Sequence, residues 1–246
     1  MHKKINYLYQ VKDFVSKKLN VIPSHVFCIA GGAAEEIGLF ADISSQQIIS
    51  CFQKNYFTAV FLANAMIKLW VSRPQQKQAR HLVFTNSTAC FMALPGYGAY
   101  TPTKTAIRAL ADTLRQEVIM YESIVDIRIH CSFPGTILTE AFTREQEIKP
   151  EILKLIEGTD DTTHAQTAEQ VAKAIISGVD NGHFFIPTDT QTRLLLNNMR
   201  GPSPAQTYVV DWLMTLIGMI VWPFYRMFFD YTVRQYGKKK IKPPSE

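Results

Sequence analysis

Hydrophobic and polar positions sort the chain into two alternating kinds of segment. Four short apolar runs stand out: His25-Val26-Phe27-Cys28-Ile29-Ala30, His81-Leu82-Val83-Phe84-Thr85, Val125 to Phe133, and His183-Phe184-Phe185-Ile186. The first closes on Gly31-Gly32 and the third on Pro134-Gly135. Continuous runs of this length, lacking an in–out alternation, suit strands buried on both faces of a parallel sheet. Between them, residues 44–70, 100–120 and 169–179 read as helices, and Ile5, Leu8, Tyr9, Val15 and Leu19 recur at roughly helical spacing over residues 3–19. A Pro/Gly loop, Leu94 to Gly98, leads into the helix at 100. Strand alternating with helix through the first 190 residues predicts an α/β fold, a Rossmann-like doubly wound parallel sheet.

Past residue 200 the pattern changes. Gly201-Pro202-Ser203-Pro204 separates a domain over 1–200 from a segment over 201–246. Trp212 to Tyr225 carries no charge, yet its fourteen residues, Pro223 among them, fall short of the ~20 that cross a bilayer. Trp212, Trp222, Phe224, Tyr225, Phe228 and Phe229 are aromatics of the kind that settle at headgroup level. The expectation is a membrane-associated apolar segment, interfacial or re-entrant, with a true span and a buried core helix as the alternatives.

Charge sharpens this picture. Of the net +5, Arg226 to Glu246 holds six basic residues against two acidic ones, so the first 225 residues are close to neutral. A tail of this kind suits an anionic membrane surface. A nucleic-acid interface would need basic residues clustered in the body of the fold with aromatics interleaved, and none is found. With 246 residues and 47% hydrophobic content, the chain can bury a sizeable core. Cys28, Cys51, Cys90 and Cys131 are too widely spaced for a CxxC pair and read as reduced core residues. Five lysines and no sustained apolar core between Met1 and Asn20 argue against a secretory signal.

Candidate chemistry centres on Tyr100 and Lys104, four residues apart at the start of a helix and therefore on one face. Reducing a ketone by hydride requires a proton for the developing alkoxide. A phenol whose pKa is lowered by a nearby ammonium can supply it near neutral pH. Tyr236 and Lys240 repeat the spacing in the basic tail, so context has to decide. Ser87 provides it, standing at the end of an apolar strand, where α/β sheets present ligand-facing residues. Its hydroxyl can steady the alkoxide. The plainer alternative is that Ser87 caps the next segment and Tyr100 is a core aromatic.

Ser87, Tyr100 and Lys104 together resemble the signature of the short-chain dehydrogenase/reductase family. The stretch Tyr97-Gly98-Ala99-Tyr100-Thr101-Pro102-Thr103-Lys104, the segment Lys149 to Gly158 and the apolar C-terminus are further similar to the fungal-type 3-ketodihydrosphingosine reductases. The resemblance implies Tyr100 as proton donor and Ser87 as the carbonyl-orienting hydroxyl. It implies Lys104 as partner of the nicotinamide ribose, and Asn55 as support for a water-mediated relay to Lys104; the alternative for Asn55 is a helix-surface amide. Pro134-Gly135-Thr136-Ile137-Leu138-Thr139 is similar to the family's Pro-Gly-x-x-x-Thr loop, which implies cofactor contacts from Pro134, Gly135, Thr136 and Thr139. Ala30-Gly31 resembles the end of the family's Asn-Asn-Ala-Gly motif, although Ile29 stands where asparagine is usual. NADPH as cofactor, a long-chain keto-lipid as substrate, an endoplasmic reticulum membrane location with the site facing the cytosol, and a homodimer through the Asn55 and Tyr100 helices are all implied in the same way.

One element departs from the family. No Gly-x-x-x-Gly-x-Gly turn is present, and the 25 residues before the first clear strand are too few for upstream strands at about 30 residues per βαβ unit. The expectation is a chain missing the fold's first strands, either an incomplete piece of an active enzyme, which is preferred, or a shortened protein that no longer binds dinucleotide. Three functions follow: a 3-ketodihydrosphingosine reductase, another membrane-associated reductase of lipid or steroid ketones, or a non-catalytic interaction protein.

Overall fold

The computed structural model describes residues 22–33, 35–75, 78–157 and 165–241. The helix expected over residues 3–19 lies outside these.

The four apolar runs form four parallel strands: β1 (His25–Cys28), β2 (Arg80–Thr85), β3 (Ile127–Phe133) and, late in the chain, β6 (Phe185–Pro187). They lie side by side in the order β1-β2-β3-β6, with Phe27 opposite Val83, Val83 opposite His130, and Cys131 opposite Phe185. Among the described residues β1 is an edge strand, and Ile29 just beyond it is exposed.

The two faces of β2 show why the runs are apolar throughout. Leu82 and Phe84 point into a large core with Ala59, Ala63 and Met66 of α2 (Thr58–Ser72) and Ile107 and Ala111 of α3 (Tyr100–Glu117). Val83 points the other way, against Val171, Ile175 and Val179 of α6 (Ala168–Asp180). Helices on both faces make the sheet doubly wound, as the periodicity predicts.

The long helix expected over 44–70 has an internal break. It opens as α1 (Ser45–Phe52) on a capping box, with the Ser44 hydroxyl accepting from Gln47 N–H and the Gln47 side chain accepting from Ser44 N–H. It then widens into a π segment, Gln53–Phe57, before resuming as α2. Such a bulge re-aims one side chain without ending the helix, and Asn55 sits at its centre.

After β3 the chain makes a two-stranded patch, β4 (Ile137–Leu138) with β5 (Gln166–Thr167), and two short helices, α4 (Glu140–Ile148) and α5 (Glu151–Glu157). The last helices are α7 (Thr190–Met199) and α8 (Tyr208–Lys240). All four cysteines are buried and unpaired, as expected.

The C-terminal apolar segment is present as expected, but the helix that carries it is longer than the uncharged stretch. The apolar stretch is part of one continuous 33-residue helix, α8, which runs through Pro223 and past Arg226 and Asp230. By length and composition it is long and apolar enough to cross a membrane, with a mean hydropathy of 1.4 over its best window and only 11% of that window buried. A single charge does not end a helix, so counting uncharged residues underestimated its length.

Candidate active site

Parallel strands deliver the ends of β1, β2 and β3 to one edge of the sheet, where the segments holding Gly31, Ser87 and Pro134 follow them. β2 continues into Asn86, whose N–H bonds to Ser132 of β3 at 2.8 Å and whose side-chain oxygen accepts from Ser87 N–H at 2.9 Å. Ser87, with extended backbone, caps a 3₁₀ turn over Thr88–Cys90 as its hydroxyl oxygen accepts from Ala89 N–H at 3.1 Å. The capping alternative is therefore met. It does not exclude the chemical role, because the same hydroxyl lies close enough to the Tyr100 phenol to pull that group's pKa down.

Tyr100 begins α3, and Lys104 follows one turn later on the same face, its Nζ 5.5 Å from the centre of the Tyr100 ring. Lys104 is 6% exposed, and its ammonium donates to the Thr85 carbonyl at 3.2 Å. Among the described residues no carboxylate pairs with it. Burial therefore lowers its pKa to about 8, where the charge is only partly held at neutral to mildly basic pH.

The expectation that this ammonium lowers the phenol's pKa is not met. Burial pushes the Tyr100 hydroxyl above its ordinary value, and the nearby Ser87 hydroxyl offsets only part of that rise. Desolvation of the phenolate outweighs the charge effect, so the phenol keeps its proton.

Asn55 is buried, not a surface amide. Its Nδ2 donates to Gly32 O at 2.8 Å and Cys51 O at 3.1 Å, while its Oδ1 accepts from Gly32 N–H at 2.9 Å. Both amide hydrogens are thus committed to fixing the loop after β1. Gly31 must be glycine for this contact: its φ is +159°, and a Cβ there would stand 2.7 Å from the Asn55 oxygen.

The Pro134 loop meets the same edge. Pro134 O accepts from Thr88 N–H at 3.1 Å, which ties the loop to the Ser87 turn, and Thr136 O accepts from Gln166 N–H. The Thr139 hydroxyl caps α4 by accepting from Phe142 N–H at 3.2 Å. The structure brings Ser87, Tyr100 and Lys104 together, joins Asn55 to the Gly31-Gly32 loop, and leaves Thr139 exposed at the margin.

A group that sequence reasoning missed lies beside them. Tyr97, its ring 5.6 Å from that of Tyr100, donates its hydroxyl to Glu145 at 2.9 Å. Lys149, with its side chain 3% exposed, bridges Glu145 at 3.2 Å and Glu157 at 2.6 Å. This buried network straps α4 and α5 against the Tyr97–Tyr100 loop. Only the Glu145–Lys149 spacing of four was visible in advance; the remaining contacts are tertiary.

A doubly wound parallel sheet with a serine, a tyrosine and a buried lysine converging on its strand ends defines a Rossmann-type oxidoreductase architecture. The short chain dehydrogenase family model matches residues 8–149, more than half of the chain, and the chain belongs to that family. Among curated relatives it is similar to the PIGF/3-ketodihydrosphingosine reductase fusion protein of Schizosaccharomyces pombe, at 31% identity over 94% of this chain and 45% of that protein. It is likewise similar to 3-ketodihydrosphingosine reductase ksrA of Aspergillus fumigatus, at 34% identity over 82% of this chain and 59% of that protein. The chain thus spans about half the length of these relatives. Its fold matches a short chain dehydrogenase/reductase from Burkholderia phymatum solved in complex with NAD, with a TM-score of 0.62 and 17% identity, covering 82% of this chain and 76% of that one.

Proposed function

We propose that this chain carries the catalytic part of an NADPH-dependent reductase that converts 3-ketodihydrosphingosine to dihydrosphingosine at the endoplasmic reticulum membrane, its site facing the cytosol. The observation that carries the reading is the Ser87–Tyr100–Lys104 cluster at the strand ends, in a chain about one-third identical to named 3-ketodihydrosphingosine reductases. The activity for which these relatives are named supplies the substrate, and the long apolar α8 supports the membrane setting.

The residues present fit the nicotinamide-ribose end of a dinucleotide. Lys104 offers a buried ammonium that makes a single hydrogen bond among the described residues, so two of its protons are free for ribose hydroxyls. Gly31 and Pro134–Thr136 lie in the loops that follow β1 and β3, at the same end of the sheet. A nicotinamide bound there would supply a hydride to the keto carbon. Ser87 orients the carbonyl by hydrogen bonding its oxygen, and Tyr100 gives its phenolic proton to that oxygen as charge builds. A phenol held above its ordinary pKa is loaded with its proton at neutral pH, which favours the reducing direction. Asn55 fixes the β1 loop, so its part in a relay to Lys104 runs through atoms other than its committed amide hydrogens.

NADPH oxidation by membranes carrying the protein expressed from its native gene, with 3-ketodihydrosphingosine as substrate, tests the reading. We expect turnover that Tyr100→Phe lowers by about 10³-fold, the middle of the range for a lost general acid, and that falls when NADH replaces NADPH. A Tyr100→Phe variant with an unchanged rate would sink the proposed role. Membranes that neither bind nor oxidise NADPH would favour a non-catalytic interaction protein instead.

A further inference from the structure

A cleft of about 410 Å³ opens between the loop at Ala93–Pro95, the end of α5 and the C-terminal half of α8. That volume falls within the roughly 300–1,000 Å³ typical of small-molecule sites. Its walls are apolar, with Leu94 and Pro95 from the loop, Ile156 from α5, and Phe229 and Val233 from α8. Its rim is polar: Arg226 pairs with Asp230 at 3.1 Å, and among the described residues Arg234 has no carboxylate partner. An apolar trough with a charged rim is suited to an amphiphile and not to a sugar or a nucleotide.

Two connections give the cleft a direction. Outward, α8 carries Met219 above the cleft and, on its far face, Ile217, Ile220, Phe224 and Phe228, all more than half exposed, a surface that water does not favour. Inward, Leu94 forms one wall of the cleft and also packs in the cluster that holds Tyr97 and Tyr100. The Leu94 carbonyl accepts from Tyr97 N–H at 3.2 Å, so one side chain separates the trough from the catalytic loop. The α5 wall is held at both ends, by Lys149 to Glu157 and by Lys240 of α8 to Glu151 at 3.1 Å.

We infer that this cleft seats the hydrocarbon chain of a single-chain amphiphilic lipid, which enters along α8 from a bilayer and presents its keto headgroup to Tyr100. The inference rests on the reductase reading for the headgroup; the seat itself rests on the cleft.

The test is photo-crosslinking in phosphatidylcholine vesicles carrying the protein, using an eighteen-carbon 2-amino-3-ketone with a diazirine at mid-chain and mass-spectrometric mapping of the adducts. Adducts are expected on residues 93–95, at Ile156 and on 229–233. Ile156→Trp and Val233→Trp, which fill the trough from opposite walls, should each cut that labelling at least tenfold. Each should also raise KM for the long-chain ketone without raising it for a six-carbon analogue. The adduct map of the unsubstituted protein decides alone if either variant fails to fold. Adducts confined to the outward face of α8, or cleft labelling indifferent to both substitutions, would overturn the inference. Cleft labelling without NADPH-dependent turnover removes the reductase reading and leaves the seat standing. Turnover with labelling only on the outward face does the reverse.

Discussion

Two buried charges are treated in opposite ways. Asp211, at the root of α8, is 2% exposed and fully surrounded: Arg193 lies at 2.8 Å, Arg200 at 3.1 Å, and the backbone N–H groups of Gln206 and Thr207 at 2.9 and 3.2 Å. Lys104, in the catalytic corner, is 6% exposed and, among the described residues, has one carbonyl and no carboxylate. A charge removed from water costs several kcal/mol unless partners replace its hydration. Asp211 is compensated and serves to hold the mostly exposed α8 against α7. Lys104 is left under-compensated, the condition expected of a group that waits for an external partner.

The comparison predicts opposite signs on mutation. Asp211→Ala strands two partly buried guanidinium groups and should destabilise the fold by about 3–5 kcal/mol, the usual cost of breaking a buried pair from one side. Chemical denaturation in detergent would read this; an unchanged midpoint would mean that α8 is held by apolar packing alone.

Lys104→Met should stabilise the fold while abolishing turnover. The lysine's folded pKa of about 8 lies below its ordinary 10.5, so the penalty on its charge is fully present below pH 8 and is relieved as pH rises toward 10.5. At ~1.4 kcal/mol per pKa unit, the gain is at most roughly 3 kcal/mol at pH 7. A thermal midpoint that falls in Lys104→Met would show that the ammonium is compensated after all. Activity should drop at least about 100-fold, the lower bound for losing a group that supports the acid.

How much of this was legible follows from what each feature depends on. The strands were readable because a strand covered on both faces must be apolar throughout, and Leu82, Val83 and Phe84 satisfy that locally. Ser87, Tyr100 and Lys104 were readable because strand end and helical spacing are sequence properties. α4 is mostly polar and buries nothing, and α5 and α7 are only two to three turns long, so periodicity hid them. The π segment around Asn55 and the Lys149 network depend on contacts across folded elements, which spacing cannot show. The Tyr100 pKa was misjudged for the same reason: the spacing places an ammonium nearby but says nothing of the desolvation that outweighs it.

A stack of histidines running from the surface into the sheet sharpens the contrast, with the smallest effect of the three. His25, His81 and His130 stack across β1, β2 and β3, with ring centroids 4.4 and 5.2 Å apart. His130 Nδ1 lies 2.7 Å from the His183 carbonyl and so carries its hydrogen; its Nε2 is then the acceptor for His81 Nδ1–H at 3.0 Å. A proton added to His130 Nε2 would set donor against donor. Burial first, then the neighbouring histidines, lowers the His81 pKa to about 4, and burial lowers that of His130. Both rings are therefore neutral when folded, whereas the unfolded chain takes up protons below about 6.5. Stability contributed by the stack is present above that pH and is lost as pH falls toward 4. Allowing for partial solvent screening, we expect a loss of about 1–2 kcal/mol between pH 7 and pH 5. His81→Phe keeps a ring in the stack and removes one titrating group, so it should flatten the pH dependence of the denaturation midpoint. An unaltered slope in that variant would place the acid sensitivity elsewhere, and Lys104 would then stand as the single under-compensated base in the sheet region.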